Sequence, residues 1–136
     1  MASHLIDIIH PNHIAQIWPI VLPMLAPCMK RSTGEMTIEQ MQVRAIDGAW
    51  PLMVYVDDGK IVGALIFEWI NYPNDRVMFI NAIGGKTTQE HVEAMYQWAK
   101  ASGATSVRGA AQEAVARLWK KQYGFNKIAH IVEKRL

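Results

Sequence analysis

The stretch Phe79–Glu90, FINAIGGKTTQE, decides how this chain reads. Strand-like apolar residues run into two glycines, and Gly85-Lys86-Thr87 then opens a helical pattern. Glycine turns at a strand-to-helix junction are where backbone N–H groups hold phosphate. A triphosphate-binding loop needs G-x-x-x-x-G-K-[ST], and here the first glycine of that pattern falls on Ile80. The nucleotide loop is therefore incomplete, and the elements on either side must say what the turn is for.

On the N-terminal side, Trp50–Val56 (WPLMVYV) and Ile61–Ile70 (IVGALIFEWI) read as two strands joined by Asp57-Asp58-Gly59-Lys60, a hairpin signal. Tyr72-Pro73-Asn74-Asp75 is a second turn, which leads into a strand over Arg76–Ile83. On the C-terminal side, Thr88–Ala101 places Val92, Met95, Tyr96 and Ala99 on one helical face and stops at Gly103. A short strand over Thr105–Ala110, a helix over Gln112–Gln122 and a closing strand over residues 125–136 complete that half. At the start, His4–Ile9 reads as a strand. Ile14, Ile17, Trp18, Val21, Leu22 and Leu25 follow with helical spacing. Pro19, Pro23 and Pro27 predict that this helix is kinked or broken. KRSTGE (30–35) reads as a loop, and Thr37 with Gln40 has the form of a capping box for a helix through Ile46.

The order is thus β-α-α-β-β-β-α-β-α-β. A helix between the fourth and fifth strands is a crossover, so one parallel pair joins an otherwise antiparallel sheet. This predicts one α/β (α+β) domain over residues 1–136, with six to seven strands and helices on both faces.

Composition agrees with a globular domain: 51% of the 136 residues are hydrophobic and the net charge is +2. That excess is too small to imply nucleic acid, and the basic C-terminal cluster (Arg117, Lys120, Lys121, Lys127, Lys134, Arg135) reads as a solvated face. A single cysteine, Cys28, excludes an internal disulfide, suits a reducing compartment and reads as a buried structural thiol. The apolar run Ile14–Met29 is short for a membrane span and carries three prolines. A cytoplasmic protein with no membrane partner is expected. The histidines have no metal-ligand spacing, and no metal is expected.

Three segments carry a family resemblance. EAMYQWAKASGATSV looks like a helix end common in the GNAT (GCN5-related N-acetyltransferase) superfamily, and ARLWKKQYGFNKIAHIVEKRL looks like its tail. KRSTGEMTIEQMQVRAIDGAWPLMVYVDDGKIVGA resembles the small GNAT-like proteins of tailed bacteriophages, which also carry GG after the fourth strand. The resemblance covers essentially the whole chain. It implies an acetyl-coenzyme A-dependent N-acyltransferase acting on a small-molecule or protein amine, in the host cytoplasm if phage-encoded. The coenzyme would lie along Ile80, Ala82 and Ile83 of the fourth strand, with its pyrophosphate on Gly84, Gly85, Lys86, Thr87 and Thr88. The fixed positions of the superfamily loop fall on Ile83, Lys86 and Thr88, so the glycines are displaced. The usual general-acid tyrosine position is Lys120, with Tyr123 just before Gly124. The alternative is a non-catalytic phage accessory or virion protein that binds a host or phage partner. A homodimer is compatible with either.

Glu68, Asn81 and Tyr123 are the candidate catalytic residues. Acyl transfer to an amine needs a base for the ammonium and donors for the developing oxyanion. Glu68 either faces the cleft, is an exposed strand residue, or pairs with Arg76 across the hairpin. Asn81 either binds the thioester end or is a satisfied strand-edge polar residue. Lys120 reads as a solvated helix lysine. The tryptophans read mostly as core by their spacing; Trp69 either joins them or points to the face opposite Glu68, where it would line or cover a pocket.

Overall fold

The computed structural model describes residues 4–30, 34–111 and 113–136. Five strands form one sheet in sequence order: β1 (Ile6–Ile9), β2 (Leu52–Asp57), β3 (Lys60–Asn71), β4 (Arg76–Gly85) and β5 (Ser106–Gly109). All neighbours are antiparallel except β4 and β5. The helices are α1 (Ile14–Met29), α2 (Ile38–Ile46), α3 (Gln89–Ala101) and α4 (Glu113–Tyr123).

Alternation along the strands sorts side chains to two faces. Leu52, Val54, Ala64, Ile66 and Ala82 pack under α1 and α2 with Ile14, Val21 and Leu25. Met53, Tyr55, Leu65, Phe67, Met78 and Ile80 pack with α3. The mixed sheet with helices on both faces is the fold class expected.

Local chemistry fixes most boundaries. Asp58 (φ 48°) and Gly59 (φ 74°) make the tight β2–β3 turn, where both central residues need positive φ. The Thr37–Gln40 capping box forms in both directions. The three prolines do not break α1, which runs continuously for 16 residues. Pro19, Pro23 and Pro27 all lie exposed, four residues apart, so the carbonyls left without an N–H partner face water.

The closing strand does not form. Residues 124–136 carry no regular structure, and Ile128, Ile131 and Val132 are exposed. Among the described residues the sheet therefore has five strands rather than six or seven, and β5 is its last. The loop reading of 30–35 falls partly outside the described residues.

Candidate active site

β4 and β5 pair only from Val77↔Ser106 to Ile80↔Gly109. Beyond that point β4 runs on to Gly85 while β5 stops, so the two strands separate. A pocket of about 340 Å³ fills the gap, with Asn81, Ile83 and Thr87 from β4 and its end, Cys28 from α1, and Trp119 and Tyr123 from α4. The Trp119 ring packs so tightly on Gly109 that a Cβ there would lie 2.7 Å from it. That glycine lets α4 close the far wall of the pocket.

The residue that re-aims β4 into this space is Asn81. Ile66 pairs with Ala82 but Phe67 pairs with Ile80, so Asn81 is the extra residue of a β-bulge. Its Nδ2 donates to Glu68 Oε2 at 2.8 Å, half-buried. The structure thus brings together two of the three expected catalytic residues. Glu68 does not pair with Arg76. That arginine instead donates to Asn71 Oδ1 and the Ser102 carbonyl and stacks on Trp69 at 3.9 Å. Trp69 packs on Phe67 and Trp98 in the α3-side core.

The two glycines are not a loop. Both belong to β4, opposite Ala64 and Gly63. A Cβ on Gly84 would sit 1.8 Å from the Met24 carbonyl oxygen, and one on Gly85 (φ 87°) would sit 2.6 Å from the Val62 oxygen. The pair exists so that α1 and β3 can approach β4 closely. The Lys86 N–H donates to the Val62 carbonyl at 2.7 Å, which removes it as a phosphate donor. What is left for an anion is the first turn of α3. Its N-cap Thr88 accepts from the His91 N–H, and Gln89 and Glu90 head the helix, where N–H groups have no intrahelical acceptor.

His91 is a site residue that sequence reasoning missed. It is 2% exposed. Nδ1 accepts from the Thr88 N–H at 3.1 Å, so Nε2 carries the proton and donates to the Val56 carbonyl at 2.9 Å. This ties the start of α3 to β2, and the ring stacks on Tyr55. A histidine three residues after Thr88 is a capping-box position, which was the available signal.

Tyr123 is buried, and its hydroxyl donates to Thr87 Oγ1 at 3.3 Å. Burial pushes this phenol up, against the lowering effect of that hydrogen bond, so it keeps its proton at neutral pH. The Tyr96 hydroxyl donates to the Tyr123 carbonyl. The Tyr55 hydroxyl is buried beside Tyr123, and burial followed by the neighbouring Tyr123 holds it protonated. Lys120 is exposed. Cys28 is half-buried and lines the pocket rather than lying sealed in the core. Among the described residues no group of histidine, cysteine, aspartate and glutamate could hold a metal ion, and no helix is long and apolar enough to cross a membrane.

This fold is that of the GNAT-type acetyltransferases. An aminoglycoside acetyltransferase, meta-AAC0020, from an uncultured soil metagenomic sample and crystallised with trehalose, superposes with TM-score 0.66 at 13% identity over 96% of this chain and 95% of that one. AAC(6')-Iy, in complex with the bisubstrate analogue CoA-S-monomethyl-acetylneamine, gives TM-score 0.64 at 13% identity over 98% and 99%. The ribosomal-protein-alanine N-acetyltransferase of Brucella melitensis biovar Abortus 2308 gives 0.65 at 14% identity over 97% and 100%. No protein-family model matches the chain, and no curated protein matches it in sequence.

Proposed function

We propose that this protein transfers an acetyl group from acetyl-coenzyme A to an amine. The observation that carries the reading is the Glu68–Asn81 pair, set by a β-bulge at the edge of a pocket between two diverging strands. The coenzyme fits the residues present. Past Ile80 the β5-facing edge of β4 has no strand partner among the described residues, which leaves backbone groups for an extended amide chain. The Gln89 and Glu90 N–H groups and the Lys86 ammonium would be the donors for its pyrophosphate. The coenzyme supplies the acetyl group as an activated thioester.

The chain's own residues then divide the work. Glu68 accepts the proton that an incoming ammonium must lose before nitrogen can attack. Asn81 holds that carboxylate in place through Nδ2. Tyr123 carries a proton at neutral pH and lines the pocket, so it can donate one to the leaving sulfur. Trp119 and the α1 residues Met24 and Cys28 give the pocket an apolar wall.

Calorimetric titration with acetyl-coenzyme A, followed by thiol release against a panel of amines, tests the proposal. Saturable binding and amine-dependent thiol release are expected. The absence of both would sink it.

The second reading is a non-catalytic protein on the same scaffold, in a phage accessory or virion role. It is favoured by the glycines being consumed in packing and by the Lys86 N–H being spent inside the sheet. Amine-dependent thiol release that disappears in Glu68→Gln would exclude it.

A further inference from the structure

Across the outer end of the sheet, Glu68 pairs with Phe79 and Phe79 pairs with Arg108. Cα partners in adjacent strands share a face, so carboxylate, phenyl ring and guanidinium form one row across β3, β4 and β5. This is the face that α1 and α2 cover elsewhere. Here Phe79 is half-buried and packs with neither core cluster among the described residues. The row begins at the Glu68–Asn81 pair, and Asn81 lines the pocket. At its other end, Arg108 approaches Asp75 only to 3.9 Å, beyond the 2.7–2.9 Å typical of a charge-assisted hydrogen bond, and its side chain is 34% exposed.

From this row we infer that the acceptor is an amine whose apolar or aromatic body carries an anionic group. The ammonium meets Glu68, the body lies on Phe79 and the anion reaches Arg108. The inference rests on the acyl-transfer reading and names the substrate class of that site. Two neighbouring strands are about 4.8 Å apart, so Glu68 and Arg108 stand roughly 10 Å apart at their Cα atoms, the span of a ring with a group at each end. A polycation such as an aminoglycoside would set a second positive charge against Arg108, so this row selects against the substrates of the aminoglycoside acetyltransferases that share the fold.

The test is calorimetry on the full chain with 4-(aminomethyl)benzoate, benzylamine and neamine. The carboxylate-bearing amine binds about tenfold or more tightly than benzylamine, the scale of one charge-assisted hydrogen bond. In Arg108→Gln, which leaves Glu68 and Asn81 untouched, that preference disappears while benzylamine binds as before. Equal affinities, no measurable binding of the carboxylate-bearing amine, tighter binding of neamine, or a preference that survives Arg108→Gln would each overturn the inference. Acetyl transfer is followed separately, as coenzyme thiol released after acetyl-coenzyme A is added to the same samples. Selective binding without transfer refutes the acyl-transfer reading and leaves the amine site standing.

Discussion

Glu68 and Asn81 show how much one extra residue can do. Without the bulge at Asn81, a β4 side chain would alternate past the pocket, and the Nδ2–Oε2 contact could not form. Glu68→Gln keeps an oxygen to accept from Asn81 and loses only the base. We expect kcat for the preferred amine to fall about 10²-fold or more, with a melting temperature close to that of the parent. A fall in melting temperature alone would instead mark Glu68 as structural. Gly84 tests a different property of the same strand. Gly84→Ala drives a methyl group into the Met24 carbonyl, and α1 must shift to make room. A loss of about 2–3 kcal/mol is expected in urea unfolding, the upper part of the usual overpacking range. An unchanged midpoint would show that α1 does not sit on β4 as closely as described.

At the scale of elements, α3 is held at its start by His91 and on its flank by phenols. His91→Ala removes the N-cap contact to Thr88 and leaves the Val56 carbonyl without its buried donor. We expect destabilisation of about 2–3 kcal/mol, the sum of a lost cap and a lost buried hydrogen bond. His91→Gln, which can still reach back to the Thr88 N–H, should recover part of it. The tyrosines set an alkaline limit. Burial, followed by the neighbouring Tyr123 and Glu93, pushes Tyr96 up to about 12, and burial raises Tyr123 in the same direction. An unfolded tyrosine ionises near pH 10. The folded state therefore holds more protons between about 10 and 12, and stability falls as pH rises through that window. In Tyr72→Phe, which removes the exposed phenol, tyrosinate absorbance rising together with loss of circular dichroism, rather than ahead of it, checks this.

For the whole molecule, the five-strand sheet stops before the C-terminal segment, of which Phe125 still packs on Trp119 and Tyr123 at the edge of the α3-side core. Ile128, Ile131 and Val132 are 70%, 84% and 88% exposed, so residues 128–136 add little burial. Deleting them should move the unfolding free energy by no more than about 0.5 kcal/mol. A large loss would mean that the segment closes the sheet in solution. The sequence had pointed to a strand here because Ile128, Ile131 and Val132 favour strands. Propensity alone does not give a strand a neighbour to bond, and β5 offers only four residues.

What the sequence determined by itself was local: turns with obligatory positive φ, capping boxes, strand and helix periods, and from their order the mixed sheet with one parallel pair. Those follow from chemistry within a few residues along the chain. Only the tertiary structure decided the meaning of FINAIGGKTTQE. Its glycines are fixed by how closely α1 and β3 approach β4. Asn81 is aimed by a register shift against β3, and His91, the residue just after the stretch, is held by an oxygen of β2, 35 residues earlier. Each depends on backbone from another element, and no pattern within the stretch encodes where that backbone will lie.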